Sequence, residues 1–190
     1  MESKNVSKVK SAWQAIYWEI FKKRVNFHDL LIPAVYDPAK HFCVIVDGDV
    51  LPGEAIHKLN ELSDVHRQFK ELDQSLNNQR FGNKSYAIIF ERNFEADLST
   101  KMASAQELAE LEMDCINFKE RLLLEIYCLR EASTKLDTQR TTLCSGSRLD
   151  NGRVPIIYYH NEHQRIYIDS CSPTECAKDL CARLVVAVAC

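Results

Sequence analysis

The residues best suited to chemistry are Asp47 and Asp49, which sit on either side of Gly48 at the end of the apolar run FCVIV. A strand that ends in two carboxylates presents both at its C-terminal end. Such a pair can hold Mg²⁺, which clamps a phosphate and activates water. His160 and His163 form a second candidate. They flank Asn161-Glu162 between two apolar runs, at what reads as a hairpin tip. Two imidazoles can contribute to a binding site, although two ligands do not complete a metal site. Arg140, Arg148 and Arg153 form a third, spread over a loop rich in Thr, Ser, Gly and Asn. A guanidinium there can receive a phosphate or a carboxylate.

The segment FCVIVDGDVLPGEAI resembles the first acidic motif of haloacid-dehalogenase, Toprim and NYN/PIN-type nuclease domains. The resemblance spans about a dozen residues, which is short for a motif. It implies a metal-dependent phosphatase or nuclease that uses Asp47 and Asp49 with Mg²⁺. Those families need further acids on neighbouring strands. The next strand-like run, YAIIF, is followed by Glu91 alone and then by Arg92. The competing reading is structural: Asp-Gly is a turn dipeptide, and a strand-end Asp caps a turn.

The elements that position these residues carry an internal echo. Pro33, Tyr36, His41 and Asp47 match Pro155, Tyr158, His163 and Asp169 at one constant offset. A repeat of this kind defines a structural unit. It predicts two β-hairpin-helix units, over 30–77 and 154–189, with Asp169 as the structural twin of Asp47. Apolar positions at three- and four-residue steps predict an N-terminal helix over 7–27 and a long helix over 104–137. Ser104 with Glu107 supplies a capping-box start for the latter. Tyr86–Phe90 reads as a further strand. Near-heptad spacing extends the helix after Pro52 through Phe69, Leu72 and Leu76.

Bulk properties narrow the function. The chain has 190 residues, 46% of them hydrophobic, which suits one domain with a real core. A formal charge of -3 gives no field for nucleic acid, so none is expected as a partner. The start MESKNVSKVKSAW is polar where a signal peptide is apolar, and no run is long enough to span a membrane. With eight cysteines and no CxxC pair, reduced buried thiols in a cytoplasmic protein are expected. The apolar ending LVVAVAC predicts a buried terminus or a piece of a longer protein. No Walker loop, GxGxxG, HExxH or GxSxG occurs.

The sequence therefore predicts an α+β fold: two repeated hairpin-helix units forming an antiparallel sheet packed by long amphipathic helices. It predicts a non-catalytic protein-binding or assembly module without a cofactor. The partner is another protein or a second copy, met through the long helices, with coiled-coil pairing as one form.

Overall fold

Phe42–Val46 is five consecutive apolar residues, and the β-branched members favour a half-buried pleated surface. This run forms β1 (His41–Val46), which pairs antiparallel with β4 (Tyr86–Glu91) from His41 opposite Glu91 to Val46 opposite Tyr86. The computed structural model describes residues 4–68, 76–78, 80 and 83–188. The helices are α1 (Lys4–Glu19), α2 (Pro52–Leu62), α3 (Ala105–Glu110) and α4 (Phe118–Ala132). Between and after them run β2 (Val65–Arg67), β3 (Leu76–Asn78), β5 (Thr141–Leu143), β6 (Ser147–Leu149), β7 (Val154–His160), β8 (Arg165–Cys171), β9 (Leu180–Cys181) and β10 (Val186–Val188).

The architecture is mixed α+β. One sheet has the order β1-β4-β10, a second β2-β8-β7-β5-β9, and β3 pairs with β6. The five-stranded sheet combines antiparallel β7–β8 and β5–β7 pairs with parallel β2–β8 and β5–β9 pairs. Its inner face, through Ile157, Ile166 and Ile168, joins the main core with Leu122, Leu123 and Ile126 of α4. At one end of its outer face, Leu143, Val154, Cys171 and Leu180 pack with Leu108 of α3 in a second core. Among the described residues no helix lies on the other end of that face.

A free sheet edge invites unwanted pairing. The β1 edge is sealed by α1. Trp13, fully buried, donates from Nε1 to the Cys43 carbonyl at 2.9 Å. Tyr17 Oη donates to the Ile45 carbonyl at 2.9 Å and accepts from the Asp47 amide at 2.8 Å. Burial pushes the Tyr17 hydroxyl well above its ordinary value, so it stays protonated and able to donate.

The internal repeat does not form as a structural unit. The second hairpin exists as β7 and β8, but residues 30–36 are not a strand. The Tyr36 amide closes a turn on the Pro33 carbonyl at 2.9 Å, and β1 takes β4 as its partner instead. The Asp37-Pro38 turn is present, with the Lys40 amide donating to the Asp37 carbonyl at 3.0 Å. After Ser172-Pro173 the chain makes turns, β9 and β10 rather than a helix. Val186–Val188 is β-branched-rich and pairs antiparallel with Ile89–Ala87.

The helices are shorter than the apolar spacing implies. The N-terminal helix ends at Glu19, and α2 ends at Leu62, followed by β2. Phe69 and Leu72 lie outside the described residues, and Leu76 belongs to β3. The 104–137 segment is two helices. Glu112 takes a left-handed φ of 53° after α3, and α4 restarts with its own capping box, Asn117 with Glu120. Buried residues of α4 include Lys119, Glu120, Arg121 and Glu125 on its polar side. A helix enclosed in this way has no free stripe to offer a second chain.

Candidate functional site

The end of the five-stranded sheet away from α3 carries a contiguous set of rings. Strand alternation puts Tyr158 and His160 of β7, Tyr167 of β8 and His66 of β2 on the same outer face, since Tyr158 and His66 both pair with Tyr167. Tyr158 and Tyr167 stack with centroids 5.4 Å apart and planes 13° from parallel. His66 lies 4.8 Å from Tyr167 on its other side. The hairpin turn folds His163 back so that its ring stacks on His160 at 4.0 Å and 12°. His163 Nδ1 is 2.6 Å from Tyr167 Oη. His66 and His163 are exposed; Tyr158, His160 and Tyr167 are half-buried. Tyr158's hydroxyl is raised by partial burial and by Asp169, which keeps it neutral at physiological pH.

His160 and His163 are thus brought together, and they meet three rings not among the predicted site residues: Tyr158, Tyr167 and His66. The available signal was alternation: Tyr158, His160 and Tyr167 share parity about the turn. His66 could not be found that way, because its parallel pairing to β8 is remote in the chain. Arg165 borders this face and pairs with Asp64 at 2.9 Å, leaving its Nε buried without a partner among the described residues.

The Asp47–Gly48–Asp49 corner closes the β1 end of the ladder. Asp47 is 8% exposed; its Oδ1 accepts from Ser85 Oγ at 3.2 Å and from the Asp49 amide at 3.4 Å. Gly48 is needed here for close approach, since a Cβ would lie 1.8 Å from the Asn83 carbonyl oxygen. Lys119 reaches the corner from α4 and donates from Nζ to the Gly48 carbonyl at 3.1 Å. Burial lowers its amine to about 8, against the attraction of Asp47. Lys23 Nζ contacts Glu54 at 3.0 Å and the Asp49 carbonyl at 3.3 Å. A cavity of about 380 Å³ opens here between this corner and residues 23–27. Ser85, Lys119 and Lys23 carried no local sequence signal. Among the described residues no three His, Cys, Asp or Glu side chains converge as a metal site.

Asp169 is not the twin of Asp47. It lies within β8 opposite Ile156, and its Oδ1 accepts from the adjacent Ser170 amide at 2.7 Å. His41 differs likewise from His163: its Nδ1 accepts from the Asp37 amide at 3.1 Å.

The three loop arginines are held apart, each on backbone carbonyls. Arg140 donates to Ala96 at 3.0 Å, Arg148 to Ser145 and Ser147 at 2.8 Å, and Arg153 to Ser170. The arginines that do converge are Arg121 and Arg183, both fully buried. Arg121 Nη2 and Arg183 Nη2 each donate to Asp137 at 2.7 Å, one to each oxygen. Arg121 also pairs with Glu125 at 2.7 Å, and Thr142 Oγ1 donates to Asp137. Burial alone would raise Asp137; Arg183 and Arg121 overcome it and hold the carboxyl below its ordinary value. Glu125 is raised by its burial despite Arg121. This balanced cluster ties α4, β5 and the 183 segment together in the interior.

Comparison with protein-family models, curated proteins and solved structures finds no match. No helix among the described residues is long and apolar enough to cross a membrane.

Proposed function

We propose that this chain is a non-catalytic protein-binding module whose contact face is the ring ladder of β2, β8 and β7. One observation carries this reading: His66, Tyr158, His160, His163 and Tyr167 touch one another on a sheet face that α3 covers at the opposite end and that no helix among the described residues covers here. Tyr is enriched among the residues that dominate protein interfaces, because it offers large contact area with few rotatable bonds. A protein suits this face better than a nucleic acid. Base-stacking platforms come with a basic groove, whereas here Arg165 is neutralised by Asp64 and Asp169 adds negative charge. With α4 enclosed, contact moves from the helices to the sheet. The test is loss of partner capture by Tyr167→Ala with folding intact.

A second reading, metal-dependent phosphoryl transfer, draws support from Asp47, Asp49 and Ser85 sharing one cavity. Asp47 and Asp49 would hold Mg²⁺, with Lys23 nearby as a phosphate partner. Mg²⁺-dependent hydrolysis of a generic phosphoester, lost in Asp49→Asn, tests it.

A further inference from the structure

The cavity at the Asp47 corner contains polar groups that the fold does not use. Asp47 lines it while being 8% exposed, and its side-chain hydrogen bonds to Ser85 and to the Asp49 amide both fall on Oδ1. Oδ2 has no hydrogen-bond partner among the described residues. Nor is it sealed in, since the fully buried orphan among the described side chains is Arg165 Nε. The Asp49 carboxylate is likewise unpaired among the described residues, and Gly48 locks both acids onto one tight turn. Arg24, on the same cavity, is held over the Trp18 ring at 5.0 Å. That contact leaves the guanidinium donors free of any carboxylate among the described residues.

The charges around the corner balance. Of the residues lining the cavity, Asp47 and Asp49 carry negative charge and Lys23 and Arg24 carry positive charge. A balanced site attracts neither a bare cation nor a bare anion from a distance. Its unspent groups still ask for both: a donor for Asp47 Oδ2 and Asp49, and a planar acceptor for Arg24. The complementary ligand is neutral overall and carries both functions. A volume of about 380 Å³ lies at the small end of ligand cavities.

We propose that this cavity binds a small zwitterion of amino-acid size, its ammonium group on Asp47 and Asp49 and its carboxylate on Arg24. The inference is independent of the protein-binding face, which lies on the other sheet. It is tested on the full chain by following the backbone amides of Gly48, Asp49 and Ser85 by NMR. Glycine, serine and glutamate are titrated, alongside methylammonium, acetate, and Mg²⁺ with inorganic phosphate. The proposal expects saturable shifts with at least one amino acid and binding about tenfold or more weaker for methylammonium or acetate alone. Asp49→Asn and Arg24→Gln, both at accessible positions, each lower amino-acid affinity about tenfold with the amide spectrum otherwise unchanged. Absence of saturable shifts with all three amino acids up to ~50 mM overturns it. So does amino-acid binding that is insensitive to both substitutions. Shifts with Mg²⁺ and phosphate but not with amino acids overturn it in favour of the phosphoryl-transfer reading.

Discussion

Tyr158 and Tyr167 stack across the β7–β8 ladder with ring centroids 5.4 Å apart, on a part of the sheet that no helix among the described residues covers. Cross-strand aromatic pairs stabilise a sheet by roughly 0.2–1 kcal/mol each. That modest gain makes the face separable from the fold. Tyr167 touches Tyr158, His66, His160 and His163. Tyr167→Ala is expected to cost on the order of 1 kcal/mol of stability, read as a small shift in urea midpoint, while removing the centre of the binding face.

The interior cluster behaves in the opposite way. Asp137→Asn leaves two buried guanidinium groups facing a neutral amide and is expected to cost about 3–5 kcal/mol. The pH dependence has a definite sign. Asp137 is lowered in the folded protein, so its contribution is complete above the ordinary Asp range and is lost as pH falls through the lowered value. Glu120 and Glu125 are raised by burial and work the other way in acid. The check is therefore the difference between wild type and Asp137→Asn in urea unfolding, which should shrink as the pH drops.

Lys119 offers an alkaline counterpart. Its folded value is about 8 against an ordinary 10.5, so the unfolded chain binds the extra proton between those limits. Wild-type stability relative to Lys119→Met should therefore rise with pH across that window, a difference that cancels the opposing fall both share from buried thiols such as Cys43, Cys128 and Cys144. Below pH 8 the buried ammonium carries its full desolvation cost, so Lys119→Met is expected to be more stable by on the order of 1–3 kcal/mol. Chemical denaturation at pH 7, 9 and 10.5 reads both effects.

Sealing of the β1 edge predicts that Tyr17→Phe does more harm than a single lost hydroxyl suggests. It strands the Ile45 carbonyl and the Asp47 amide together. A loss of roughly 2–4 kcal/mol is expected from two orphaned backbone groups. Trp13→Phe strands the Cys43 carbonyl alone, and its cost carries in addition the void left by the fully buried indole. Equilibrium unfolding of the two variants side by side measures both costs.

Gly48→Ala tests the rigidity of the acidic corner. The added methyl would meet the Asn83 backbone, which cannot swing aside as a side chain can. A penalty of about 3 kcal/mol or more is expected, measured as a fall in urea midpoint.

Local signals in the sequence were mostly faithful. The α1 stripe of Val9, Trp13, Ile16 and Tyr17 is the face that is buried. The Ser104–Glu107 capping box starts α3, and YAIIF is a strand. Long-range pairing was not legible. The Pro33 and Pro155 phrases look alike, yet β7 finds its partner next door and β1 finds its own past α2, β2 and β3. The break in the 104–137 helix was readable in Asn117-Phe-Lys-Glu120, a second capping box hidden by continuous apolar spacing. Loss of the repeat also removes the argument that Asp169 explains Asp47. The acidic corner must be understood from its own contacts with Ser85 and Gly48.

The most direct test of the binding face is site-specific photocrosslinking of the full chain in its native host. A photoreactive residue is placed at His66 or His160 on the ring ladder, or at Trp18, which is 51% exposed on α1. One discrete crosslinked protein is expected from both ladder positions, absent from position 18 and lost when Tyr167→Ala is added. No discrete product from the ladder positions, or the same product at equal yield from position 18, would contradict it.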